Sequence, residues 1–94
     1  MSDEISAPSH YDGMTVDCMT AMQSMLNAQP GHTPEGRVVT GAALYWHGMV
    51  LKYIWRYARK SGLKDLLKAR QCIEYLIGEE YGPDGLEAMR GATE

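Results

Sequence analysis

Basic side chains and aromatic rings are interleaved between residues 52 and 59, and this pairing is the clearest chemistry that the sequence offers. Lys52, Arg56 and Arg59 recur at four- and three-residue spacing, so on a helix they lie on one face. Guanidinium forks and ammonium groups are good partners for phosphate oxygens, and aromatic rings stack on nucleobases. The spacing therefore predicts a basic strip that binds a small phosphorylated ligand.

Three further residues belong to the predicted strip. Tyr45 lies two turns before Lys52 on the same face, where its ring can stack on a base, and Trp55 lies on one flank. Gly48 opens the helix backbone to close approach, although it costs about 1 kcal/mol of helix stability relative to Ala. A ligand and a second helix explain this glycine equally well, and packing in a core or an oligomer interface is the more frequent role of aromatic rings.

Charge is distributed unevenly along the chain. Residues 52–70 contain seven basic residues and one acid, Asp65, whereas the whole chain has a formal net charge of −3. A concentrated positive field on an acidic body attracts a small anion and disfavours long nucleic acid. A solvated basic helix face would give the same pattern, and the charges alone do not separate the two interpretations.

Other kinds of site find little support in the sequence. The chain has no Gly-rich phosphate-binding loop of the P-loop or dinucleotide type. His10, His32, His47, Cys18 and Cys72 lack the close pair spacing of zinc ligands. We therefore assign no metal ligand and no catalytic residue, expect His47 and both cysteines in the core, and infer a reducing compartment.

Apolar periodicity predicts a single all-α domain over residues 1–94, with three helices and no strands. Thr15 is the predicted N-cap of the first helix, whose apolar stripe ends before Pro30. The second helix is predicted over residues 38–60 and the third over residues 63–77, with Gly78 as its end. Residues 1–14 are predicted as an irregular arm, and residues 79–94 as a mobile tail in which residues 86–89 form a turn or two of helix.

The third helix is expected to face the core with Leu63, Leu66, Leu67, Ile73 and Ile77, because these residues keep the helical period. A chain of 94 residues buries only a small core. We therefore expect self-association into a homo-oligomer. The uncharged run of residues 38–51 has 14 residues, too few to span a bilayer, so we expect a cytoplasmic protein without a membrane partner.

Several motifs between residues 8 and 76 resemble a family of small phage proteins. They are the N-terminal Pro-Ser-His-Tyr, the central Gly-Met-Val-Leu-Lys-Tyr-Ile-Trp-Arg of residues 48–56, and the Asp-Leu and Lys-Ala pairs that follow. The family is often labelled a phage nucleotide kinase, by similarity to a coliphage enzyme that phosphorylates deoxynucleoside monophosphates. The resemblance adds His10 and Tyr11 to the candidate binding residues. Its pattern also includes Gly48, Lys52, Tyr53, Trp55 and Arg56, which overlap the strip. This chain departs from the pattern at Met49, where the family usually has Asn.

The interpretation that we carry forward is a phage accessory protein in an infected bacterial host. It binds a small phosphorylated nucleotide without turning it over, and thereby sequesters a host immune signal. His10 would hydrogen-bond this ligand, and Tyr11, Tyr45 or Trp55 would stack on it, with no cofactor required.

Two alternatives remain open. The first is a deoxynucleoside monophosphate kinase, which would need Mg²⁺ held by carboxylates; the nearest are Asp12, Asp17 and Asp65. The second is a protein-binding inhibitor of host defence machinery that acts through surface complementarity.

Overall fold

The computed structural model describes residues 14–93, which form three helices and no β-sheet, as expected. Helix α1 spans Cys18–Asn27, α2 spans Gly41–Arg56, and α3 spans Leu63–Thr93 with a kink at Gly82. A short 3₁₀ turn, Tyr57–Arg59, follows α2. The all-α fold class is confirmed, while the arm of residues 1–13 lies outside the described residues.

Side-chain caps set where the first two helices begin. Asp17 is the N-cap of α1, and its Oδ1 accepts a hydrogen bond of 2.7 Å from the backbone N–H of Thr20. Thr40 caps α2 in the same way, since its Oγ1 accepts from the N–H of Ala43 at 3.1 Å. Such caps satisfy backbone donors that have no partner inside the helix. The predicted cap at Thr15 was therefore two residues early.

Residues 28–40 fold back on themselves before α2 begins. The N–H of Thr33 donates to the carbonyl of Arg37 at 2.8 Å, and the N–H of Val39 donates to the carbonyl of Gly31 at 2.9 Å. An isolated antiparallel bridge pairs His32 with Val38. Helix α2 was predicted from residue 38, but this extended segment occupies residues 38 and 39, and α2 starts at Gly41.

Helix α3 continues through Gly78, so the predicted helix end is wrong, and the helix extends through the residues that were predicted as a tail. The kink comes at Gly82, whose φ of 65° is a conformation that L side chains rarely adopt. Pro83 follows, and because its missing N–H needs no helical partner, it is well suited to start the next helical segment. The segment after the kink folds back, and a Cβ at Gly78 would lie 3.5 Å from Cδ1 of Leu86.

The helices contact each other mainly through small residues. Ala43 of α2 and Ala69 and Cys72 of α3 are the buried apolar side chains among the described residues. Burial raises the pKa of the Cys72 thiol, in keeping with a core position. Gly48 of α2 is also buried, and a Cβ there would lie 3.2 Å from the sulfur of Met22 in α1. The most deeply buried positions are therefore small residues, which let the helices approach each other closely.

The face of α3 that packs on α2 is different from the predicted one. The buried positions are Asp65, Ala69, Cys72 and Glu80. By contrast, Leu63, Leu67 and Ile73 are exposed by 69%, 46% and 43%. These three residues belong to an apolar stripe that follows the helical period and stays partly open in the described chain.

Gly85 makes the tight fold after the kink possible, and we predict that Gly85→Ala destabilises the protein by about 1–3 kcal/mol, the usual cost of overpacking. A Cβ at this position would overlap Cβ of Tyr81 and lie 2.9 Å from Cγ2 of Ile77. Gly91→Ala is the matched control, because nothing lies within 4 Å of its Cβ position. Chemical denaturation should show a lower free energy of unfolding for Gly85→Ala than for wild type, and no decrease for Gly91→Ala. Equal free energies of unfolding for Gly85→Ala and wild type would contradict this packing.

Candidate functional site: three cations around Tyr53

Three basic side chains surround the ring of Tyr53, where α2 ends and α3 begins. Lys52 Nζ lies 5.5 Å, Arg56 Cζ 5.1 Å and Lys68 Nζ 5.7 Å from the ring centroid. These distances are within the range of cation–π attraction. We call Lys52, Tyr53, Arg56 and Lys68 the Tyr53 cluster. It joins residues from two helices on one half-buried ring.

A buried carboxylate anchors the cluster. Nε and Nη2 of Arg56 each donate to one oxygen of Asp65 at 3.2 Å, and Asp65 has no exposed surface. The backbone N–H of Ser61 donates to the same carboxylate at 3.4 Å. Burial raises the pKa of Asp65, but the hydrogen bonds and charge of Arg56 outweigh it, so the pKa is lowered overall. The ion pair fixes the end of α2 against the start of α3.

The cluster keeps a net positive charge because it joins three cations to one carboxylate, although the charge of Lys68 also helps to lower the pKa of Asp65. Asp65 is the carboxylate that pairs with Arg56, and neither Lys52 nor Lys68 forms a salt bridge within the described chain. Both lysines are exposed. Two ammonium groups therefore point to solvent beside one aromatic ring, an arrangement that suits the oxygens of an anion.

Lys52 also lies near the start of α1. The pKa of the Cys18 thiol is raised by burial and by the charge of Asp17, while the positive charge of Lys52 opposes this. A shallow cavity of about 250 Å³ here is lined by Asp17, Cys18, Met19 and Trp55. Trp55, a predicted binding residue, thus lies on the α1 side of Lys52 and not on the Tyr53 ring.

The remaining predicted binding residues are scattered. Tyr45 contacts Trp46 edge-on with 4.8 Å between ring centroids, and Trp46 lies 4.7 Å from Tyr75, so these rings form a separate aromatic group. Gly48 contacts α1, which favours the helix-packing explanation of this glycine. Arg59 donates to the carbonyl of Trp55 at 3.4 Å. His10 and Tyr11 lie outside the described residues.

Sequence reasoning missed two members of the site and its anchor. Lys68 and the ring of Tyr53 were left out of the strip, and Asp65 was considered only as a Mg²⁺ ligand. A signal was present, because Asp65 is the single acid between residues 52 and 70. An isolated acid inside a basic segment is a good candidate for a buried ion pair, and Lys68 follows it by three residues, almost one helical turn.

The carboxylates considered for a magnesium ion have other roles in the structure. Asp17 caps α1 and Asp65 pairs with Arg56, whereas Asp12 lies outside the described residues. No group of three or more His, Cys, Asp or Glu side chains in residues 14–93 is placed to hold a metal ion. Within the same residues, no helix is long and apolar enough to cross a membrane.

Comparison with known proteins identifies the family of this chain. Residues 5–74 match the model of DUF3310, a family of proteins of unknown function, and the chain belongs to this family. No curated protein and no solved structure matches the chain. The matched region includes the whole Tyr53 cluster and ends before the kink in α3.

We predict that Asp65→Asn lowers the melting temperature by several degrees, because the charge of Arg56 loses its buried partner. The pKa of Asp65 is below its ordinary value of 3.8, so the ion pair contributes stability above that pH and loses it as the pH falls through the lower value. The difference in melting temperature between wild type and variant should therefore be largest at neutral pH and shrink in acid.

Glu87→Gln is the control for this measurement, since Glu87 pairs with Arg90 at 3.2 Å but its side chain is 82% exposed. Exposed pairs contribute little to stability. Circular dichroism melts of both variants across the acid range would check the prediction. A pH-independent effect of Asp65→Asn would show that the ion pair does not stabilise the fold.

Proposed function

We propose that this protein binds a small phosphorylated ligand of the nucleotide class at the Tyr53 cluster and holds it without turning it over. The observation that supports the proposal most strongly is the pair of exposed lysines, Lys52 and Lys68, that approach one ring and form no salt bridge with the described residues. Phosphate oxygens would accept hydrogen bonds from the two ammonium groups. Nη1 of Arg56 is the guanidinium nitrogen that the ion pair with Asp65 leaves for a third contact.

Holding a ligand, rather than phosphorylating it, fits the chemistry that the cluster offers. Phosphoryl transfer needs positioned metal ions and a residue that orients the nucleophile. The cluster contributes positive charge, but its one carboxylate already accepts from two nitrogen atoms of Arg56. We therefore favour sequestration of a nucleotide signal in an infected cell over a nucleoside monophosphate kinase.

A second copy of the chain would complete the binding surface. The apolar stripe of α3 leaves Leu63, Leu67 and Ile73 exposed, and burying each such side chain is worth about 1.5–3 kcal/mol. Leu67 precedes Lys68 directly, so a copy packed on the stripe would lie at the edge of the Tyr53 cluster. The same stripe would suit a host protein, and this observation keeps a protein-binding inhibitor as the second candidate.

We predict that Lys52→Gln and Lys68→Gln each weaken nucleotide binding about tenfold, the effect of losing roughly 1.4 kcal/mol of interaction. Calorimetric titration with nucleoside monophosphates, diphosphates, cyclic dinucleotides and ADP-ribose would measure the affinities. Lys60→Gln is the control, since it removes the same charge from an exposed lysine that belongs neither to the Tyr53 cluster nor to the stripe of α3.

Recovery of the ligand separates the two nucleotide functions. After incubation, chromatography of the denatured sample should return the nucleotide unchanged, and a mixture of ATP and a deoxynucleoside monophosphate should yield no ADP. Formation of ADP would make the protein a kinase. Absence of binding to every nucleotide in the panel, with the fold intact, would remove the proposal.

We predict that Leu67→Glu shifts the protein towards monomer, because a charge on the stripe opposes burial against a second copy. Native mass spectrometry of the wild type and of this variant would show the assembly and any nucleotide carried through purification. A wild-type monomer that captures one stoichiometric host protein would instead favour the inhibitor.

A further inference from the structure

A second cavity lies far from the Tyr53 cluster, between the folded-back segment of residues 28–40 and the middle of α3. Its volume is about 310 Å³, within the range of small-molecule sites. Its walls are largely apolar and include Pro30, Val39 and Leu76, with His32 and His47 among the polar side chains. Residues from α2, from α3 and from the segment of residues 28–40 all line this cavity, so its shape depends on the tertiary packing.

One wall of the cavity contains a buried acid, Glu80, whose carboxylate has no hydrogen-bond partner within the described chain. Glu80 is 9% exposed, and neither Oε1 nor Oε2 accepts a hydrogen bond within the described chain. Arg37 donates to the backbone carbonyl of Glu80 at 3.3 Å, so this guanidinium contact does not satisfy the carboxylate. A buried carboxylate without donors is costly, and Glu80 lines the cavity although the surrounding chain covers its two carboxylate oxygens.

Two contacts hold the segment in place over α3. The hydroxyl of Tyr81 donates to Oε1 of Glu35 at 2.7 Å, and the guanidinium of Arg37 lies 5.2 Å from the centre of the Tyr81 ring. This hydrogen bond raises the pKa of Tyr81 and lowers that of Glu35. These two contacts therefore hold the segment of residues 28–40 against α3 at Tyr81, the residue next to Glu80.

We propose that this cavity binds a small organic cation, with an apolar body against the walls and a charged N–H group that donates to Glu80. The charged group supplies the donors that the carboxylate lacks, once the side chain turns towards the cavity. An organic cation also fits better than a metal ion, because His32, His47 and Glu80 are not placed together as a metal-binding group.

The site is independent of the proposed nucleotide site. Glu80 follows Lys68 by twelve residues on α3, which is about 18 Å of helix. Its charge is opposite to that of the Tyr53 cluster, so the two places select different ligands. Failure of one proposal leaves the other standing.

Benzamidine and phenethylamine are suitable probes, because each joins an aromatic ring to a planar or a tetrahedral cation. We expect calorimetry and NMR shifts of the His32 and His47 rings to report binding of at least one of them. Binding of benzamidine alone would point to an amidinium or guanidinium ligand, and binding of phenethylamine to an ammonium ligand. Benzyl alcohol, a neutral molecule of similar shape, should bind at least tenfold more weakly.

Glu80→Gln tests the role of the carboxylate. We expect this variant to lose affinity for the cations at least tenfold, and to melt at a higher temperature than wild type when no ligand is present, because a neutral amide is less costly to bury. Glu79→Gln, an exposed neighbour with the same charge change, should alter neither property. Equal binding to wild type and Glu80→Gln, equal binding of benzyl alcohol, or no binding of either cation would overturn the proposal.

Discussion

The ion pair between Arg56 and Asp65 is the interaction on which the rest of the structure depends. It joins the last residue of α2 to the first turn of α3 across the 3₁₀ turn, and it buries the carboxylate completely. A paired charge of this kind is costly to break, because the remaining partner is left without compensation. By fixing Arg56 beside Tyr53, the pair also determines where Lys52 and Lys68 approach the ring. The Arg56–Asp65 pair thus belongs both to the packing of α2 on α3 and to the proposed binding site.

The thin core gives the fold a second constraint. Small residues let α2 approach α1 and α3 closely, but they bury little apolar surface. The leucines and isoleucine that would normally supply burial lie on the open stripe of α3 instead. A chain of this size would gain much from a second copy, which is the physical reason for our proposal that a second copy completes the binding surface.

Sequence periodicity was sufficient for the helices but not for their faces. The three helices and the all-α class follow from apolar spacing. On α3, however, two sets of residues keep the helical period equally well: Leu63, Leu67 and Ile73 on one face, and Asp65, Ala69 and Cys72 on the other. The spacing alone therefore allows either face to be the buried one. The larger residues were the natural choice for the core, whereas the fold buries Ala69 and Cys72 most deeply, on the same face of α3 as the paired Asp65.

Glycines and charges show the same limit. The sequence alone does not distinguish Gly78 from Gly82 as the place where the helix is interrupted. Only Gly82 adopts a positive φ, and this depends on how the chain folds back after Pro83. Lys52 and Arg56 could be placed on one strip from spacing, whereas Lys68 and the ring of Tyr53 required the packing of α3 on α2. The buried Glu80 could not be found from sequence, since nothing local marks an acid whose surroundings come from residues 28–40.

An NMR titration that observes the side chains of the Tyr53 cluster tests the central claim most directly. Adding a nucleotide such as ADP should move the Lys52 and Lys68 ammonium signals and the Tyr53 ring signals along one saturating curve, and high salt should weaken that curve. Signals that stay still at these three residues, or that move equally at Lys60 and Lys64, would contradict a phosphate site at this ring.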